Sequence, residues 1–460
     1  MSSETTPATF PLVVVSNRLP VSFSVNDRGS KVPSLSPGGL VAAVAPALQG
    51  RNAAWVGWDG TSSPNEDPIH ATGIMSFPVA LEAEIVEAHY EGYSNSTLWP
   101  LFHDVGVGAH QKKEWWSAYR DVNRRFAERT ASLVDEDGIV WVHDYQMMLV
   151  PGLLRDLMPN VRIGYFHHIP FCRAERFHTL ANHPDIVASL NQADIVGFQR
   201  EVDARNFEQS RVEIGTPRAT IATYPISIDF DAVSDAAGDQ EVVERARELR
   251  KEWGHPKTVF LGVDRIDYTK GIVERLEAFE YLLKTEALSV EEVVMVQAGS
   301  PSRENVESYQ KLRQAVDSTV ARINEAFPTV SGRSAVMYSA MNLDREELLA
   351  LFVAADVMVV SSLRDGMNLV AKEFVACRNG ASGVLILSPF TGAADHMREA
   401  ILADPTDKEA LVAAMSEATM MPADEQQRRM NALRDEVRRH DVSWWSGTIL
   451  RDLGSVEQAS

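Results

Sequence analysis

Cysteine is nearly absent. The 460 residues hold two, Cys172 and Cys377, far apart and outside any CxxC pair, so neither a disulfide framework nor a cysteine-based zinc site is indicated. Long apolar runs are missing too: none approaches the roughly 20 residues of a membrane-crossing helix. The opening MSSETTPATF has neither the basic n-region nor the apolar core of a signal peptide. The chain therefore reads as cytoplasmic, with no membrane partner. Basic charge is also in deficit, 44 Lys and Arg against 64 Asp and Glu, for a net charge of −20. That argues against a nucleic-acid partner, which needs clustered cations for phosphates. A small basic pocket for a phosphorylated metabolite is still allowed, and the general acidity serves solubility. Neither GxGxxG nor a Walker A pattern occurs, which weighs against NAD-type and P-loop chemistry. No DxD-like pair sits in a metal context, and no metal or organic cofactor is expected.

What the chain does have is an alternating pattern. Its length predicts two or more domains, and 45% hydrophobic content can sustain large cores. Short β-branched runs recur at Leu12–Val15 and at 139–143, 162–168, 194–198, 258–263, 293–299, 334–339, 357–362 and 383–388. Near-continuous apolar strands alternating with amphipathic stretches predict an α/β protein with parallel sheets covered on both faces. GIVERLEAF (271–279) places Ile272, Leu276 and Phe279 on one face, as a crossover helix should. Such a number of strands exceeds one doubly wound sheet. The proline, acids and small residues of 224–240 suggest a break, with domains at 1–235 and 236–439.

In open α/β sheets ligands collect beyond the carboxyl ends of the strands. There the chain carries Arg18, then Gly38 and Gly39; His143-Asp144-Tyr145; His167 and His168; Arg265 and Lys270 in DRIDYTKG; and Arg303 in SPSR. Taken singly, each is as readily a turn or a surface residue. Two adjacent histidines on a strand point to opposite sides, so at most one faces a cleft. Asp267 could serve only as a partner for Arg265. Together the strand-end clusters point to one ligand class. Arg265 and Lys270, on one short loop before a helix, suit a diphosphate. Helix N-termini and glycine turns add anion affinity. SLRDGMNLVAKE (362–373) supplies backbone from Gly366, Met367 and Asn368, and carboxylates from Asp365 and Glu373 that can accept sugar or ribose hydroxyls. A diphosphate beside polyols is a nucleotide sugar. Arg18 and Arg303 could clamp a second phosphate on an acceptor.

SNRLPV, SPGGL, YSNSTLWPLFHD, WVHDYQMMLVPGLLR, HHIPF, VDRIDYTKGI, GSPSR and SLRDGMNLVAKE, in that order, resemble the trehalose-6-phosphate synthase family, family 20 of the retaining glycosyltransferases. The likeness runs from about residue 12 to about residue 450. It implies a GT-B fold, two facing Rossmann-like domains: an acceptor domain, a nucleotide-sugar domain, and a C-terminal helix, about 440–460, that packs back on the first. It implies transfer of glucose from a nucleotide diphosphate glucose (UDP-glucose or GDP-glucose) to glucose 6-phosphate with retention. A homo-oligomer is compatible with this reading. Residue by residue, Arg18, Tyr93, Trp99, Asp144 and Arg303 look like the acceptor pocket, and Gly38 and Gly39 like a loop over the donor. Arg265 and Lys270 match the diphosphate pair, His168 and Asp365 the groups on the donor glucose, and Glu373 the ribose contact. Leu343 falls where the family holds the base, and Gly366, Met367, Asn368, Leu369 and Val370 line the donor turn. The chain departs from the family pattern at Cys172-Arg173-Ala174 and at Pro389. The alternative is a related enzyme coupling a nucleotide-activated cyclitol to an amino-cyclitol phosphate.

Overall fold

The computed structural model describes residues 9–25, 31–36, 38–61, 66–71, 73–211, 219–303, 306–380 and 382–456. The chain divides into two compact units, Met1–Ile226 with Ser443–Ser460, and Ser227–Val442. The first division falls ahead of the 235/236 boundary suggested by the sequence. The helix Phe230–Ala237 belongs with the second unit, where Ser234 Oγ donates to Asn379 Oδ1 at 2.7 Å.

The first unit is built on an eight-stranded sheet, with a separate hairpin. Its strands are β1 (Phe10–Arg18), β2 (Val21–Val25), β3 (Lys31–Leu35), β4 (Ala53–Trp58), β5 (Ile69–Ala71), β6 (Ile74–Pro78), β7 (Val134–His143), β8 (Arg162–His167), β9 (Ile195–Phe198) and β10 (Thr220–Thr223). The sheet order is β10-β9-β8-β7-β1-β4-β6-β5, and only β5 runs antiparallel to its neighbour. β2 and β3 pair as the hairpin. Strands such as AAWVGW are buried along their whole length because helices cover both faces. The C-terminal helix Val442–Gly454 returns to this unit. Trp445 packs at a tilt against Trp141, 5.1 Å between ring centroids, and donates to the Tyr224 carbonyl at 3.2 Å, while Asp452 accepts from the Tyr224 hydroxyl at 2.8 Å. Gly164 is required there, since a Cβ would stand 2.6 Å from Leu453 Cδ1.

In the second unit β11 (Thr258–Arg265), β12 (Val293–Ser300), β13 (Val336–Ser339), β14 (Val357–Val360), β15 (Val384–Leu387) and β16 (Ile401–Leu402) form one parallel sheet. Their order, β13-β12-β11-β14-β15-β16, is the 3-2-1-4-5-6 order of a Rossmann sheet. The expected crossover helix runs Ile272–Lys284 and buries Ile272, Leu276 and Phe279 in the core. Its Arg275, fully buried, pairs with Asp264 and donates to the Val359 carbonyl at 2.6 Å, which ties β11 to β14. Strand order reverses between those two strands. The corresponding switch point of the first unit lies between β1 and β7.

Candidate functional site: charged strand-end loops in each unit

At the switch point of the second unit, β11 ends at Arg265 and the chain turns through Asp267-Tyr268-Thr269-Lys270. Gly271 then caps the next helix at φ +61°. A Cβ on Gly271 would lie 2.0 Å from the Ser361 carbonyl oxygen, so only glycine lets this loop meet the one after β14. Ser361 Oγ donates to the Gly271 carbonyl at 2.7 Å, and Leu363 N donates to the Thr269 carbonyl at 2.7 Å. Drawn together, the loops set Lys270 Nζ 2.5 Å from Asp365 Oδ2. Asp365 also accepts from Asn368 Nδ2 at 3.1 Å.

Asn368, at φ +88°, caps the helix Leu369–Ala376 by accepting from Ala371 N. Gly366 and Met367 are buried beneath this turn, with the Gly366 carbonyl 2.1 Å from where a Cβ on Gly392 would be; Leu369 and Val370 are half-buried in the helix's first turn. One turn further, burial pushes the half-buried Glu373 carboxyl up to about 7, against the attraction of Arg345. Leu343, half-buried, precedes the Asp344 cap of the helix Arg345–Ala354.

The buried Asp267 gathers the arginines. Arg265 Nη2 lies 3.3 Å from its Oδ2, and Arg265 Nη1 donates to Ser302 Oγ at 3.1 Å. Arg303, in left-handed backbone at φ +47°, turns inward. It donates to the Tyr309 hydroxyl and lies 3.6 Å from the same carboxylate. Arg265 and Lys270 thus share one loop, yet each has its own carboxylate.

In the first unit, Arg18 emerges from β1 and lies over the Trp58 ring, 4.3 Å from its centroid. Gly60, at φ +89°, leaves room for it: a Cβ there would be 2.2 Å from Arg18 Nη1. Next to β1, Asp144 follows β7 at φ +75°. Its N donates to the Phe166 carbonyl at 2.8 Å, and its Oδ1 accepts from His168 N at 3.2 Å. β8 stops at His167, one residue short of the predicted strand; His167 is buried and bonds the Tyr165 hydroxyl at 3.0 Å. His168 lies beyond the strand, its Nε2 2.9 Å from His143 Nδ1. Burial holds both imidazoles far below the ordinary histidine value, His143 at about 3.

Tyr93 comes from a π-helical stretch, Glu87–Leu98, and Trp99 from the α-turn that follows it. Both are buried. Tyr93 packs 4.7 Å from Tyr119, and its hydroxyl, without a partner among the described residues, has its pKa raised by burial and by Asp185. Trp99 stacks 4.0 Å from His103. Gly38 and Gly39 open the helix Gly39–Leu48 and are exposed, with open space around Gly38.

Arg18, Asp144 and His168 therefore share one strand-end region, as do Arg265, Lys270, Asp365 and the Gly366–Asn368 turn in the other unit. Among the described residues no group of three His, Cys, Asp or Glu could hold a metal ion. No helix of the described residues is long and apolar enough to cross a membrane. Tyr309 and the His143–His168 contact escaped the sequence reading, because neither contact leaves a local pattern. Trp58 is different, standing at the end of an apolar run that marks it as a strand end.

Two parallel-sheet units with charged groups at their switch points place the chain among the α/β glycosyltransferases of the GT-B class. The chain belongs to glycosyltransferase family 20, whose model matches residues 11–455. It is 44% identical over 468 residues, 97% of each chain, to a trehalose-6-phosphate synthase of Mycobacterium sp. (strain JLS). A UDP-forming α,α-trehalose-phosphate synthase of Burkholderia xenovorans, solved in complex with glucose-6-phosphate, is similar in structure. Its TM-score is 0.88 at 31% identity, over 96% of this chain and all of that one. An E. coli structure described as trehalose-6-phosphate bound with UDP-2-fluoro glucose has the same TM-score at 30% identity, over 97% of this chain and all of that one.

Proposed function

We propose that the protein transfers glucose from a nucleotide diphosphate glucose to glucose 6-phosphate, with retention, giving α,α-trehalose 6-phosphate in the cytoplasm. The observation that carries this reading is the loop pair at the β11/β14 switch point, where Lys270 and Asp365 meet at 2.5 Å beside a helix N-terminus. A cation there meets the departing diphosphate, and a carboxylate beside it accepts sugar hydroxyls. The full-length likeness to trehalose-6-phosphate synthases supports the choice of substrates.

In the reaction the bond between the donor's anomeric carbon and the diphosphate oxygen breaks. The acceptor's anomeric hydroxyl forms the new bond on the same face, and the departing phosphate oxygen takes its proton. Arg265 and Lys270 stabilise the charge that develops on the diphosphate. Asp365 and His168 hold the donor glucose hydroxyls, Glu373 the ribose, and Leu343 packs near the base. The backbone of Gly366–Val370 lines the donor turn, and Gly38 and Gly39 form a loop over the donor. The acceptor is read by Arg18, Tyr93, Trp99, Asp144 and Arg303. Incubation of the purified protein with glucose 6-phosphate and, separately, UDP-, GDP- and ADP-glucose tests the reading. Trehalose 6-phosphate with at least one donor is expected; its absence with all three overturns the proposal.

A further inference from the structure

His168 is half-buried among aromatic rings, where its side chain meets a second histidine. Its Nε2 lies 2.9 Å from His143 Nδ1, with Trp445 and Phe166 packed around it at ring-centroid distances of 6.3 and 4.6 Å. Its backbone N is fixed by Asp144 Oδ1. With Nε2 engaged, Nδ1 is the only ring nitrogen left for a ligand. Two neutral imidazoles share a single proton in such a contact, so one must donate and the other accept.

His143 decides which. It is wholly buried, and its Nε2 has no hydrogen-bond partner among the described residues. If His168 donated, His143 Nε2 would carry a hydrogen with nothing to receive it. The neighbouring indole of Trp141, its ring centroid 4.5 Å away, already buries an N–H without an acceptor. Orphaned buried N–H groups are rarer than under-used acceptors. The arrangement that avoids a second one has His143 Nδ1–H donating to a bare His168 Nε2.

We propose that His143 is a positioning residue that fixes His168 as the Nδ1–H tautomer, so that His168 offers the sugar donor a hydrogen-bond donor and never an acceptor. This rests on the functional reading above for the identity of the ligand, but the tautomer itself does not. The low pKa of both rings agrees with a neutral pair across the working range.

Nitrogen-15 NMR of histidine-labelled protein tests it, with the His168 signals assigned by their loss in His168→Asn. In the wild type, His168 Nδ1 should give the protonated signature and Nε2 the bare one. His143→Leu should convert His168 to the Nε2–H form and lower kcat/KM for the nucleotide sugar about 10-fold, leaving KM for the acceptor unchanged. His143→Asn carries an N–H on the same branch as Nδ1. It should keep the tautomer and stay within about threefold of wild type. A protonated Nε2 in the wild type overturns the proposal. So does an unchanged tautomer in His143→Leu, or a loss in His143→Asn equal to that in His143→Leu. The tautomer readout needs no turnover. An Nδ1–H wild type that transfers no glucose therefore overturns the functional reading alone and leaves the positioning role supported.

Discussion

Replacing Lys270 by alanine should perturb both the fold and the reaction, and the two effects can be measured separately. Lys270 and Asp365 have side chains 14% and 16% exposed and meet at 2.5 Å. At an effective dielectric near 20 their gross attraction is about 7 kcal/mol, most of it offset by the loss of hydration. Removing one member of a fully buried pair costs about 3–5 kcal/mol. Here Asp365 keeps Asn368 Nδ2 at 3.1 Å and Ser362 Oγ at 3.4 Å, so a smaller loss follows. A loss of about 2–3 kcal/mol would lower the Tm of the second unit by roughly 5–10 °C. The kinetic effect is separate. A charge lost from the departing diphosphate should lower kcat on the order of 10²–10⁴-fold. Asp365→Asn keeps the cation, so it should raise donor KM more than it lowers kcat. Steady-state release of nucleoside diphosphate, measured well below both melting temperatures, reads this. A Lys270→Ala enzyme that is folded and within about threefold of wild type in kcat refutes the assignment.

Gly271→Ala puts a Cβ 2.0 Å from the Ser361 carbonyl oxygen at φ +61°, so it should lower Tm and raise donor KM by parting the two loops; thermal melts with and without donor check this. Burial raises the folded Glu373 carboxyl to about 7, above its usual 4.5, so its stabilising contribution is complete below about 4.5 and lost as pH rises through 7. Wild-type Tm should therefore fall across that window relative to Glu373→Gln, and donor KM should fall as the ionised carboxylate forms, a pH dependence that Glu373→Gln abolishes. Arg18→Ala should weaken glucose 6-phosphate about 10- to 100-fold, the worth of one charge-assisted bond, and leave plain glucose unaffected. Arg303→Ala should add a loss of Tm, because it takes a cation from the buried Asp267; equal losses for phosphorylated and plain glucose would mean both arginines hold structure only.

Much of this was legible from residue types alone. Strands such as Val293–Ser300 and Val357–Val360 announce themselves as short β-branched runs, because a parallel strand buried on both faces tolerates little else. The cations and carboxylates at their ends stand out against an apolar background, and the ordered motifs carried the family. Contacts between distant loops were not legible. That Lys270 meets Asp365, 95 positions away, depends on sheet order and on the absence of a Cβ at Gly271. Arg303 reads from the sequence as one half of a phosphate clamp, and nothing local to it signals that Tyr309 and Asp267 hold it inward. The π-helical turn that presents Tyr93 left no trace either, since its composition is polar and without helical periodicity.

The most direct test of the central claim is a proton NMR spectrum of the product formed from nucleotide diphosphate glucose and glucose 6-phosphate. A disaccharide phosphate with both anomeric protons in the α configuration is the predicted result. A product with a β linkage, free glucose alone, or no consumption of glucose 6-phosphate with any of the three donors would contradict the account.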